Sequence, residues 1–98
     1  MNIGKVIGTV VASQKIPKFH GLKLLLVQPQ VSRSGKLEAE GGAVVAVDCV
    51  GAGNDELVMY TQGSSARMTE CTKDVAADAV IVGIIDSIEI DGKTVKRA

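Results

Sequence analysis

From Ile3 onward the chain alternates: Ile3, Lys5, Ile7, Thr9 and Val11 fall on one face of an extended segment, and Gly4, Val6, Gly8, Val10 and Ala12 on the other. A period of two predicts a first strand over residues 3–13. Gly4 and Gly8 permit the close backbone approach or sharp coiling that a strand needs to bend around a small barrel. Residues 14–21, with Pro17 and Gly21, read as a loop. Residues 22–28 form a nearly continuous apolar run interrupted by Lys23, the length of a buried strand, which Pro29 is expected to stop.

Residues 30–42 turn polar and carry Gly35, Gly41 and Gly42, predicting a mobile loop. A third strand is expected over 43–50 and a fourth over 57–61, joined by Gly51-Ala52-Gly53-Asn54-Asp55-Glu56. In the following Gly63-Ser64-Ser65-Ala66-Arg67, either serine suits the cap of a single helical turn, and the polar linker 72–78 has room for another. Residues 79–90 make the longest apolar strand, and Asp91-Gly92 is a hairpin turn that returns the chain through 93–95. Together these elements predict a mostly β fold: a small five- to six-stranded closed β-barrel, OB-like in shape, with one or two single-turn helices, because closure removes exposed edges. No repeat and no long amphipathic helix is present, which disfavours coiled coils, helix-turn-helix units and doubly wound sheets.

Composition sharpens this picture. The 98 residues make a single domain over 1–98, and hydrophobic residues reach 46% with aromatics at only 2%. Val and Ile, at 14 and 8, outnumber the 6 Leu, a β-branched bias that suits pleated surfaces. A chain this short hides only roughly 60 to 70% of its unfolded surface, so oligomerisation is expected to supply further burial. Eleven basic residues balance 11 acidic ones, leaving no electrostatic handle for nucleic acid or anionic membrane. No run approaches the roughly 18 apolar residues of a membrane span. The stretch 6–12 is short and is followed by no cleavage motif, so a cytoplasmic location with Cys49 and Cys71 as reduced thiols is the expectation.

Candidate chemistry is sparse. His20 is the single imidazole and the two cysteines stand 22 positions apart, too few ligands for a structural zinc, so neither metal nor cofactor is expected. Gly51-x-Gly53 after a strand suggests a dinucleotide loop, but a third glycine is missing, Asp55 and Glu56 repel phosphate, and a strand follows instead of a helix. Ser64 and Ser65 beside Arg67 lack a base, and Asp48, Asp55 and Asp86 are scattered carboxylates with no acid–base pairing. An enzyme is therefore not expected. An OB-like barrel that binds single-stranded nucleic acid would need aromatics over a basic groove, and here only Phe19 and Tyr60 are on offer.

Five segments carry a resemblance. Ile3-Gly4-Lys5-Val6-Ile7-Gly8-Thr9-Val10-Val11, Gly21-Leu22-Lys23-Leu24-Leu25-Leu26-Val27-Gln28 and Ala46-Val47-Asp48-x-Val50-Gly51-Ala52-Gly53 closely resemble the vertex proteins of bacterial microcompartments, the EutN/CcmL family. Gly63-Ser64-Ser65-Ala66-Arg67 and Val82-Gly83-Ile84-Ile85-Asp86-Ser87-Ile88 extend the likeness over nearly the whole chain, in order; Asn54-Asp55 departs from the commoner pattern. The resemblance implies a structural shell protein: a homopentamer that caps five-fold vertices of a carboxysome-like shell in the cytoplasm, with hexameric shell proteins as neighbours. The competing expectations are the nucleic-acid-binding barrel and a small enzyme subunit whose site forms between chains.

A subunit interface or pore is expected where the two loops flanking strand 57–61 emerge, at Asp48, Gly51, Ala52, Gly53, Glu56, Ser64, Ser65 and Arg67. Small residues allow close backbone approach, and the Arg67 fork suits a carboxylate such as Asp48 or Glu56 of an adjacent chain.

Overall fold

A computed structural model describes residues 1–12, 21–63 and 78–97. Eight strands follow one another: β1 (Asn2–Val10), β2 (Lys23–Arg33), β3 (Lys36–Ala39), β4 (Val44–Asp48), β5 (Leu57–Gln62), β6 (Ala79–Ile84), β7 (Ser87–Ile90) and β8 (Lys93–Arg97). The first sheet runs β1-β5-β6-β4-β2-β3, and β1 also pairs with β2, so five strands close into a barrel with β3 as an extra strand on β2. All its pairings are antiparallel except β4 with β6. The expected mostly β barrel is what the chain forms. The single-turn helices expected at 64–67 and 72–78 fall outside the described residues, Asp78 excepted.

Alternation fills the barrel as β1 predicts, with Gly4 and Val6 inside and Lys5 outside. Val6, Leu25, Val27, Ala46, Ala52, Val58, Tyr60, Ala79 and Ile81 make the core. Each large aliphatic side chain removed from water contributes roughly 1.5 to 3 kcal/mol before entropy is set against it. Tyr60 is its largest member, and Gly4 makes room for it: a Cβ there would lie 2.3 Å from Val27 Cγ1 and 3.0 Å from Tyr60 Cε1. Gly8 differs, since its Cβ would meet only Leu26 Cβ at 3.9 Å. The bulge at Ile7 supplies the bend there: Val6 pairs with Val27 and Gly8 with Leu26.

Three sequence boundaries move. Pro29 does not stop β2, which passes through it to Arg33. Pairing with β4 ends at Val27 and pairing with β3 starts at Gln30, so Pro29 sits where the partner strand changes and its missing N–H costs no ladder bond. The Pro29 carbonyl there accepts from Glu40 N at 3.1 Å. Much of the expected mobile loop 30–42 is instead a hairpin, turned by Ser34 (φ 54°) and Gly35 (φ 75°), the type I′ geometry that matches strand twist. The expected strand 79–90 is broken: Ile85 N still bonds Leu57 O at 2.8 Å, but β5 begins at Leu57, and the chain beyond has no barrel partner. It pairs with β8 instead, around the expected Asp91-Gly92 turn, both residues at positive φ. Val95 borders the same shallow cleft as Lys5, Gln30, Leu37 and Leu57, so this second hairpin lies beside the barrel wall.

Candidate functional site

The loop 49–56 leaves β4 and folds over one end of the barrel. Ala52 enters the core with no exposed surface, acting as a plug. A polar frame holds it there. Asp48, nearly buried at the end of β4, accepts hydrogen bonds at Oδ1 from the amides of Val50 and Gly51, each 3.1 Å. Charge-assisted bonds of this kind are about twice as strong as neutral ones, so the turn starts from a fixed point. Lys23, the register partner of Asp48, donates from Nζ to the Ala52 carbonyl at 3.2 Å. At Gly51 φ is 79°, where a side chain would strain the backbone, although the surrounding space is open.

A second turn closes the loop. Gly53 N donates to Glu56 Oε1 while Glu56 N donates to the Gly53 carbonyl at 3.2 Å. Beyond it the loop joins β1: Asp55 N donates to Val6 O at 2.8 Å and Val6 N to Glu56 O at 2.9 Å. These bonds fall at the β1 bulge, where the ladder to β5 has ended. Lys5 Nζ stands 3.9 Å from Asp55 Oδ1, an exposed pair worth at most about 1 kcal/mol.

Of the residues expected at a subunit contact, Asp48, Gly51, Ala52, Gly53 and Glu56 thus share one loop. Asp48 and Glu56 each present an oxygen to an amide of their own loop, and the Ala52 side chain faces its own core. Gly51 and its neighbour Val50 are exposed at the loop's crest. Ser64, Ser65 and Arg67 lie outside the described residues. The same holds for His20, Phe19 and Cys71. Spacing alone could show Asp48 and Glu56 beside a glycine turn; it could not show Lys23 joining them, which required the β2–β4 register.

Cys49, half-buried at the end of β4, is disulfide-bonded, which corrects the expectation of a reduced thiol there. That expectation rests on compartment habit; a disulfide requires an oxidant and a fold that brings two Cα atoms within about 7 Å with their Cβ atoms facing. Chain spacing does not disclose such proximity.

Among the described residues no three His, Cys, Asp or Glu side chains cluster as a metal site. A cleft of about 220 Å³ beside the loop is lined by Asn54, Asp55, Glu56, Leu57, Ile84, Ile85 and Asp86, and a larger one of about 440 Å³ lies between the two hairpin turns, lined by Ser34, Gly35, Lys36, Ile90, Asp91 and Lys93. Tyr60, one of the two aromatics a base-stacking groove would need, is 2% exposed, and burial holds its phenol above its ordinary pKa.

Comparison with known proteins places this geometry. The family model described as "Ethanolamine utilisation protein EutN/carboxysome" matches residues 1–86, the whole barrel, and ends just before the second hairpin. The microcompartment shell vertex protein PduN of Salmonella typhimurium is 47% identical over 90 residues, covering 90% of this chain and 98% of its own. The structure of CcmL from Gloeobacter violaceus superposes with a TM-score of 0.88 at 40% identity, covering 99% of this chain and 97% of the other. That of GrpN, a pentameric microcompartment shell protein from Rhodospirillum rubrum, gives 0.79 at 43% identity over 92% of this chain and 99% of its own.

Proposed function

The chain belongs to the EutN/CcmL family, and from that premise we propose that it is a structural shell protein whose homopentamers cap the five-fold vertices of a bacterial microcompartment. The observation that carries this function is the likeness, over the full barrel and at 43% identity, to a pentameric shell protein. Geometry supplies the reason for five. Hexagonal tiles alone cover a plane, and closing them into a polyhedral shell demands five-fold corners. A ring of five can fill such a corner and a ring of six cannot. The chain's place is therefore the shell of a cytoplasmic microcompartment, and its first partner is itself.

Beyond this, hexameric shell proteins are the neighbours the vertex meets. The chain works as a single vertex unit over residues 1–98 without catalysis of its own, since its framed carboxylates hold a turn. Loop 48–56, with Val50 and Gly51 at its crest, contributes to the ring's contacts or lines its pore. Single-stranded nucleic acid is set aside, because Tyr60 is enclosed and the net charge is zero.

Co-expression with hexameric shell tiles tests the function. Closed polyhedral particles are expected with the chain and open sheets or tubes without it, scored by electron microscopy. Equal numbers of closed particles in both would overturn the vertex role.

A further inference from the structure

Two turns in this chain are built alike. Ser34-Gly35 and Asp91-Gly92 each hold two successive residues at positive φ, 54° and 75° in the first turn and 52° and 79° in the second. Each is followed at once by a lysine that opens the returning strand, Lys36 opposite Arg33 and Lys93 opposite Ile90. The turns belong to different sheets, yet both border the cavity of about 440 Å³, which takes Ser34 and Lys36 from one and Asp91 and Lys93 from the other.

Other cations of the barrel are occupied: Lys5 stands by Asp55, Lys23 donates to the Ala52 carbonyl, and Arg33 holds Glu38 and Glu40. Among the described residues, neither Lys36 nor Lys93 has an ion pair or a side-chain hydrogen bond, and Asp91 in the same cavity pairs with neither. Two ammonium groups against one carboxylate leave the cavity with a net positive charge. A phosphate monoester carries about −1.5 to −2 at neutral pH, enough to meet both lysines, each of which binds phosphate as a point charge. Asp91 adds a condition, because it repels a bare dianion and calls for a hydrogen-bond donor. A hydroxyl on the organic part supplies that donor, the Ser34 hydroxyl can share the bond, and half-buried Ile90 offers the carbon atoms an apolar contact. No aromatic ring lines the cavity, and its volume lies low in the range of ligand sites, so it suits a small ester and not a nucleotide.

We propose that the cavity between the two turns binds a small hydroxyl-bearing phosphate ester, with the phosphate held by Lys36 and Lys93 and the hydroxyl facing Asp91 and Ser34. The inference goes beyond the vertex role and does not depend on it. Occupancy has a structural consequence. β7 and β8 form a sheet of their own, and a two-stranded hairpin is at best marginally stable in water. A ligand held from both sides ties that hairpin to the barrel through β2 and β3, so binding and hairpin order reinforce each other.

Glycerol phosphate and inorganic phosphate are the probes, titrated against the full chain at low ionic strength and read by phosphorus NMR line broadening. Glycerol phosphate is expected to bind the more tightly of the two. Lys36→Gln and Lys93→Gln, both at exposed positions, are each expected to weaken it about three- to tenfold, with Lys5→Gln as an unchanged control. Asp91→Asn keeps a side chain that tolerates positive φ and is expected to tighten inorganic phosphate, because a like charge leaves the cavity. Saturating glycerol phosphate is expected to slow amide hydrogen exchange in β7 and β8, and the double variant Lys36→Gln/Lys93→Gln to lose that protection. No binding to the parent chain, equal binding by the double variant, or inorganic phosphate bound as tightly as the ester would each overturn the proposal. So would amide exchange in β7 and β8 that the ester leaves unchanged, or inorganic phosphate bound no more tightly by Asp91→Asn.

Discussion

The two faces of the β2–β4 pair carry nearly the same side chains and meet opposite fates. Inward, Leu25, Val27 and Ala46 are sealed in the core; outward, Leu26 and Val45 are left partly bare across the same two strands. Composition cannot separate them. Position on the pleat does so only in part: outward Val47, two residues from Val45, is 3% exposed and packs with Val80, Leu22, Leu24 and Val82 in a second cluster, so the chain seals one part of the outer face and leaves Val45 bare. Substitutions in either cluster should therefore lower protomer stability, and substitution at Val45 should leave it nearly unchanged.

Tyr60→Ala should give the largest inside effect, about 3 to 5 kcal/mol of lost stability from the emptied core site. Urea denaturation checks it, and a loss under about 1 kcal/mol would mean that the core around Tyr60 collapses freely. Gly4→Ala comes next. The added Cβ would press on Val27 and Tyr60 and is expected to cost about 1 to 3 kcal/mol. Gly8→Ala, with open space around it, should cost clearly less, and equal losses at both glycines would break the account of Gly4.

At the barrel's end, Asp48→Ala removes the acceptor of two amides and should cost about 1 to 3 kcal/mol, while Asp55→Ala, which removes only an exposed ion pair, should stay below about 1 kcal/mol. The Tyr60 phenol provides a pH test. Burial raises its pKa in the folded state, so above the ordinary value of about 10 the unfolded chain gives up its proton first. The unfolded state then binds fewer protons, and stability falls as pH rises from there toward the folded pKa. Tyr60→Phe should flatten that alkaline limb, read as thermal midpoints between neutral and alkaline buffer.

These contrasts also mark what the chain's pattern reveals. β1 could be read residue by residue because Gly4 and Val6 alternate with Lys5, and the Asp91-Gly92 turn because its two residues tolerate positive φ. In residues 24–27 four apolar side chains follow one another, and only the register with β1 and β4 shows which of them turn inward. Pro29 misled for a related reason, since a proline ends a strand only where its N–H is needed, and that depends on partner strands distant in sequence. Ser34-Gly35 made a turn in what looked like a polar loop. At the candidate site the acidic residues and glycines were legible, but their use in framing a loop over Ala52 was set by Lys23 from another strand. The Cys49 bond was hidden for the same reason. Alkylation of the denatured, unreduced chain should leave Cys49 unmodified, and a fully alkylated Cys49 peptide would contradict the bond.

Closing a five-fold corner depends on the number of copies in the ring. Native mass spectrometry of the purified chain at micromolar concentration should show five copies of 10.2 kDa, about 51 kDa, as the dominant species. A clean monomer, or a hexamer, across that concentration range would contradict it.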